Sequence, residues 1–206
     1  MRNACAWLGE DATTLSYNMS DQPPNAPGAP LEAYAVFSDN VNQASIQRIF
    51  LNFSGAMERQ FKHVHLLFQS SGGFVGDGIC LYNFFKSLPI DITIYNAGSV
   101  LSVALIAYLG AKKRRTSSRA AFMMHRTSSG AQPATSAKLK GIAKSLTLDD
   151  SRTESILREH IKLPEDEWAA LDNQDVFFSG EEAVKIGIAD EIGEFSPPLG
   201  TRIYNV

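Results

Sequence analysis

Short stretches in which apolar and polar residues alternate are interleaved, along this chain, with longer ones in which apolar residues recur at helical spacing. The first alternating stretch, Ala33 to Phe37, predicts a strand. Asp39 or Asn40 is then placed to cap a helix through about Ala56, with Ile46, Ile49, Phe50 and Phe53 on one face. His63 to Phe68 predicts a second strand, followed by a glycine-rich turn from Gln69 to Gly78 and a helix over Ile79 to Lys86. Pro89 breaks the chain, and a third strand carries Ile92, Ile94 and Tyr95 before a break at Asn96-Ala97-Gly98. An apolar helix is expected from there to Gly110, interrupted only by Ser99 and Ser102, and then a short strand from Ala120 to Met124 that ends at His125.

The segment Thr127 to Pro133 is rich in Ser, Gly and Pro and reads as a turn. After it, Leu139, Ile142, Ala143, Leu146, Ile156 and Leu157 mark one face of a long helix from about Ala134 to His160. Such a helix builds a subunit interface or simply lies on the surface; the pattern fits both. Pro164 opens another helical turn towards Trp168, Gly180 to Ile186 is a short helix, and Gly187 to Ile192 a closing turn and strand. At the other end, residues 1–30 read as an N-terminal arm whose segment Asp21 to Pro30 is a Pro-rich linker, leaving residues 31–206 as one domain.

Composition narrows the classes. With 206 residues and 44% hydrophobic content, the chain is long enough for a substantial core. Its net charge of −3 gives no footprint for nucleic acid. Lys112-Lys113-Arg114-Arg115 is read as a favourable cap on the preceding helix rather than a phosphate site. No apolar run spans a bilayer and no signal-peptide core is present, so the expected location is cytoplasmic, without membrane attachment. Cys5 and Cys80 form no disulfide framework, and Cys80 reads as a small core residue. His63 and His65 share a strand face, but no third ligand stands near them in sequence, so no metal is expected.

The candidate chemistry lies around the third strand. A hydroxyl in the first turn of a buried helix sits near inward-facing N–H groups and the positive end of the helix dipole, where a nucleophilic Ser is useful. His125, ending the neighbouring strand, is the candidate base. The strand, Gly-Gly turn and helix at 63–86 match neither the P-loop nor the dinucleotide fingerprint. The other use of such a turn is to offer backbone N–H groups to an oxyanion. Asp172 and Asp175 precede the apolar pair Phe177-Phe178 and are the nearby acids.

Taken in order, these pieces resemble the ClpP family, the proteolytic subunit of Clp proteases, within the wider ClpP/crotonase superfamily. The resemblance runs from about Tyr34 to Ile192 and rests on four motifs. Gln69-Ser-Ser-Gly-Gly-Phe-Val looks like the family's Ser-Pro-Gly-Gly loop; Asn96-Ala-Gly-Ser-Val-Leu-Ser-Val-Ala is similar to its nucleophile turn. Phe122-Met-Met-His125 matches its Met-Ile-His, and the run from Asp175 to Asp190 resembles its segment beginning Asp-Arg-Phe-Leu-Ser-Ala-x-Glu-Ala-Val. The resemblance implies an α/β fold, a ClpP/crotonase-like spiral of ββα units with a long protruding handle helix. It implies a serine endopeptidase that cuts unfolded proteins or short peptides, with Ser102 as nucleophile, His125 as base and Asp175 as orienting acid. Ser99 is the competing register for the nucleophile. Gly73, the N–H of Phe74, and Val103 are the implied oxyanion donors. No cofactor is implied; the implied partners are further copies in a homo-oligomeric ring and an AAA+ unfoldase.

The chain departs from the family pattern at Ser71, which replaces a Pro, and at Leu101-Ser-Val, which replaces Ala-Ser-Met-Gly. Asn173-Gln174 replace an acid and an Arg that pairs two rings, and the first thirty residues do not look like the segment that meets an unfoldase. Two further readings stand beside the peptidase: an inactive ring subunit that scaffolds active copies, and a crotonase-type acyl-CoA enzyme. A Ser–Lys dyad using Lys144 or Lys112 is a lesser variant of the peptidase.

Overall fold

A computed structural model describes Met19, residues 31–130 and residues 133–206. The expected arm and Pro-rich linker therefore lie outside the described residues, apart from Met19, which is fully buried and donates its N–H to Asn52 Oδ1 at 3.0 Å.

The alternating stretches become a parallel sheet. Strands β1 (Glu32–Ser38), β2 (His63–Gln69), β3 (Asp91–Asn96), β5 (Lys113–Thr116), β8 (Glu191–Ile192) and β9 (Ile203–Asn205) assemble in the order β8-β5-β3-β2-β1-β9, every pair parallel. On β1 and β2 every second residue is buried: Ala33, Ala35 and Phe37, and Val64, Leu66 and Phe68. That face joins one apolar core with helices α1 (Gln43–Glu58), α2 (Val75–Ser87) and α3 (Val103–Leu109). The opposite face carries Tyr34, His63 and His65 and is only half covered, which is unusual for an all-parallel sheet.

A second sheet of three strands holds β4 (Ser99–Leu101), β6 (Ala121–Met124) and β7 (Val176–Ser179), in the order β4-β6-β7. Ser70, just past β2, bridges to Val100 and joins the two sheets. Helix α4 (Ser136–His160) has 25 residues, about 37 Å of helix, yet buries only Leu157. Leu139 and Leu148 are 52% and 59% exposed on it, so it protrudes as the expected handle. Helices α5 (Glu165–Ala170) and α6 (Gly180–Ile186) flank β7.

Several expectations change. The apolar helix expected to follow Gly98 starts only at Val103; Ser99 to Leu101 are extended, because β4 pairs with β6 and with Ser70. The basic run is not a helix cap. It forms β5, whose charges pair with distant acids: Arg114 with Asp190 at 2.7 Å and Arg115 with Glu191 at 2.7 Å. Asn42 caps α1 through a capping box with Ser45, in place of Asp39 or Asn40. Helix α2 starts four residues early, at Val75, and its Gly78 lies where a Cβ would strike Val103, so α2 and α3 pack closely. Cys80 is exposed rather than core. Strand β9, three residues long, has no counterpart in the sequence reading.

Candidate active site

Ser102 stands at the sharp turn between β4 and α3. Its φ of 56° and ψ of −133° put a non-glycine residue in a strained region, held there because its N–H donates to Met123 O at 2.8 Å. Helix α3 is buried at all seven positions and fixes the other side of the turn. Strain enforced by a packed surround is a recurrent feature of functional side chains.

His125 follows β6, whose partner β4 ends one residue before Ser102. The result is a hydrogen bond of 2.7 Å between Ser102 Oγ and His125 Nε2. Asp175 arrives by register: β6 and β7 are antiparallel with Met124 opposite Val176, so the next step outward sets His125 opposite Asp175. Asp175 Oδ1 lies 3.9 Å from His125 Nδ1, and its side chain is 55% exposed. That is ion-pair range without a hydrogen bond. With Nδ1 protonated towards Asp175, Nε2 is the acceptor for the Ser102 hydroxyl, the tautomer a proton transfer from serine requires. Ser99 sits in β4, in register with Ala121 rather than beside His125.

The glycine-rich loop lies over this pair. Gly72 has φ +106°, and a Cβ there would fall 2.8 Å from Ser102 Cβ and 3.1 Å from its Oγ, so only glycine fits. Ser71 donates to Asn40 Oδ1 at 2.7 Å and ties the loop to the segment after β1. The loop's amides can be accounted for one by one. Gly72 donates to Ser70 Oγ at 3.2 Å and Phe74 donates to Val41 O at 2.9 Å. The Phe74 N–H is therefore spent, a correction to its expected role as an oxyanion donor. The N–H groups of Gly73 and Val103 have no hydrogen-bond partner among the described residues. That of Val103 is one of the orphan amides at the start of α3.

A hollow of about 100 Å³ opens beside these groups. Gly73, Ser102 and His125 line it together with the apolar side chains of Val75, Ile106, Met124 and Leu157. The arrangement can hold an apolar side chain, move a proton from hydroxyl to imidazole, and offer two N–H groups to a developing oxyanion.

Two features escaped the sequence reading. Arg126, next to His125, donates to Asp172 Oδ1 at 2.8 Å and to Glu154 Oε2 at 2.5 Å. Thr127 donates through both N–H and hydroxyl to Asp150 Oδ1 at 2.7 and 2.8 Å. Together they fasten the end of the His125 strand to the handle helix, and the Arg126 guanidinium holds the Glu154 carboxyl below the usual carboxylate range. The adjacency of Arg126 to His125 was the available signal. The second is Glu32, which lies beside His63 and His65 as the third potential ligand that the sequence did not show. No helix among the described residues is long and apolar enough to cross a membrane.

Comparisons with known proteins agree with this architecture. The ATP-dependent Clp protease proteolytic subunit 2 of Chlamydia muridarum is 26% identical over 132 residues, 64% of this chain and 65% of that protein. Proteolytic subunit 1 of Streptomyces avermitilis is 28% identical over 133 residues, 64% of this chain and 61% of that one. The chain thus spans just under two thirds of the length of either relative. Among solved structures, a point mutant of ClpP1 from Listeria monocytogenes superposes with a TM-score of 0.68 at 20% identity, covering 81% of this chain and 92% of that one. This likeness bears out the expected α/β architecture. The Clp protease family model matches residues 32–196, most of the chain. This chain belongs to the Clp protease family.

Proposed function

We propose that the protein is a serine peptidase acting on unfolded proteins or short peptides, with Ser102 as nucleophile and His125 as general base. The 2.7 Å hydrogen bond between Ser102 Oγ and His125 Nε2 carries this reading. His125 takes the hydroxyl proton as Oγ attacks the peptide carbonyl, the N–H groups of Gly73 and Val103 receive the oxyanion, and the imidazolium returns the proton to the leaving amine. Water then hydrolyses the acyl-enzyme by the same route in reverse. Each oxyanion donor is worth about 3–4 kcal/mol of barrier. Asp175 holds the imidazole tautomer and stabilises its charge. The apolar lining of the hollow, Val75, Ile106, Met124 and Leu157, takes the side chain on the acyl side of the cleaved bond.

The exposed apolar residues of α4, Leu139 and Leu148, support assembly into a ring through the handles, and a Clp ATPase is the corresponding partner for folded substrates. A second reading, a ring subunit without activity of its own, draws on the 3.9 Å gap at Asp175. Release of fluorophore from a short apolar peptide separates the two. The peptidase reading expects turnover by the wild-type chain and none by Ser102→Ala; no turnover by either, across peptides of varied sequence and with an ATPase added, leaves the scaffold reading.

A further inference from the structure

We propose that Glu32, His63 and His65 form a binding site for a borderline divalent cation such as Zn²⁺, on the sheet face turned away from the helices. A donor atom from each residue lies within 4.8 Å of those of the other two. The placement comes from the strands. Glu32 and His63 are direct partners in the β1–β2 register, and His65, two residues on, points the same way.

Each imidazole has one nitrogen engaged with β3. His63 Nε2 lies 2.8 Å from Thr93 Oγ1, and His65 Nδ1 lies 2.9 Å from Tyr95 OH. Such outer partners orient metal-binding histidines and leave the other nitrogen for the ion. On His65 that other nitrogen is unaccounted for: Nε2 is buried without a hydrogen-bond partner among the described residues. Its nearest acid oxygen, Glu32 Oε2, is 3.6 Å away, beyond hydrogen-bond reach. A buried acceptor left open in this way costs free energy that a bound cation would recover.

The surroundings keep the donors in a ligating state. Tyr34 stacks on His65 at 4.5 Å and His63 stacks on it at 4.2 Å, which sets the two imidazoles side by side. Burial holds both imidazoles below their ordinary pKa, so each is neutral with a free lone pair at neutral pH. The cations of β5 nearby do not stand bare: Lys113 and Arg115 both pair with Glu191, at 3.1 and 2.7 Å.

Two nitrogens and one carboxylate oxygen suit Zn²⁺ better than Mg²⁺ or Ca²⁺. Tetrahedral Zn²⁺ sets its donors roughly 3.3 Å apart, so the carboxylate must swing in and the stacked rings must tilt. Glu32, 41% exposed, is free to do so. A water fills the fourth position. His63 lies seven residues before Ser70, roughly 20 Å along β2 from the loop over Ser102, so the ion joins β1 to β2 and takes no part in hydrolysis.

The test uses the full chain stripped of metal, titrated with Zn²⁺ by calorimetry and with Co²⁺ by its ligand-field absorption. The expected result is one saturable equivalent per chain with a tetrahedral Co²⁺ spectrum. Outer-shell changes at metal sites already cost about 10–100-fold in affinity, so His65→Gln and Glu32→Gln should each weaken binding by at least that much. His160→Gln, distant from the site, should leave it unchanged. Glu32→Gln is isosteric and exposed, and keeps the test decisive if His65→Gln does not fold. Absence of saturable binding, or binding indifferent to both Glu32→Gln and His65→Gln, overturns the proposal.

Discussion

Ser102 is fixed on both sides of its turn and holds His125 at hydrogen-bond distance, whereas Asp175 stands off at the rim. The backbone of Ser102 is pinned to β6, its helix is buried at every position, and its hydroxyl meets His125 at 2.7 Å. Asp175 precedes an edge strand, is 55% exposed, and stops 3.9 Å short of the imidazole. The core thus holds the proposed nucleophile and base, while the proposed acid is added at the rim. Rate should therefore depend steeply on the first two groups and shallowly on the third.

The largest expected effect is at the base. His125→Ala should lower peptide hydrolysis roughly 10²–10⁴-fold with the melting temperature little changed, as steady-state kinetics and calorimetry would show. Next comes Gly72→Ala, which attacks the packing around the nucleophile. Its left-handed backbone costs a Cβ about 1–2 kcal/mol, and the new methyl meets Ser102 Cβ at 2.8 Å. A displacement of about 1 Å in a catalytic group costs on the order of 10²-fold, so kcat should fall by about that factor while the fold survives.

Asp175→Asn probes the rim alone. An exposed pair at this separation is worth about 1 kcal/mol or less, so the loss should be about fivefold, well below that of His125→Ala. An equal loss in the two variants would show that Asp175 closes on His125 during turnover and that rim and core are not distinct.

The smallest effect is on stability. Burial keeps His63, His65 and His160 below the ordinary imidazole pKa. A depressed folded-state pKa means that stability is complete above the unfolded value, near 6.5, and is lost as pH falls from there towards the folded value. At His160 the reason is visible: Nδ1 faces Arg114 Nη1 at 3.2 Å, and since arginine only donates, protonating Nδ1 sets two N–H groups against each other. Nε2 meets the Tyr82 hydroxyl at 3.1 Å, beside Glu159 and Lys86, and Asp190 holds the far side of Arg114. The melting temperature should fall between about pH 7 and pH 5.5, and His160→Gln should flatten that slope.

The same core-and-rim distinction explains what could be read from the sequence. Strands β1 and β2 and helix α6 are legible because their patterns are local; Ser99, Ser102 and His125 stand out there as candidates, and the choice of Ser102 over Ser99 rests on the resemblance to the ClpP family. The start of α3 was not, since Ser99-Val100-Leu101 is apolar enough for helix and becomes strand only through β6 and Ser70. The basic run becomes strand for a similar reason: Asp190 and Glu191, the partners of Arg114 and Arg115, stand 76 residues away, beyond any local pattern. Phe74 looked like an oxyanion donor until Val41 O claimed its amide. Glu32 became a neighbour of His63 only through strand pairing.

Every role assigned to the core depends on Ser102 being the nucleophile, and covalent labelling with a fluorophosphonate reagent puts that to trial. Intact mass followed by peptide mapping should find one adduct per chain, on Ser102, retained in Ser99→Ala and absent from both Ser102→Ala and His125→Ala. An adduct on Ser99, or labelling undiminished in Ser102→Ala, would contradict it.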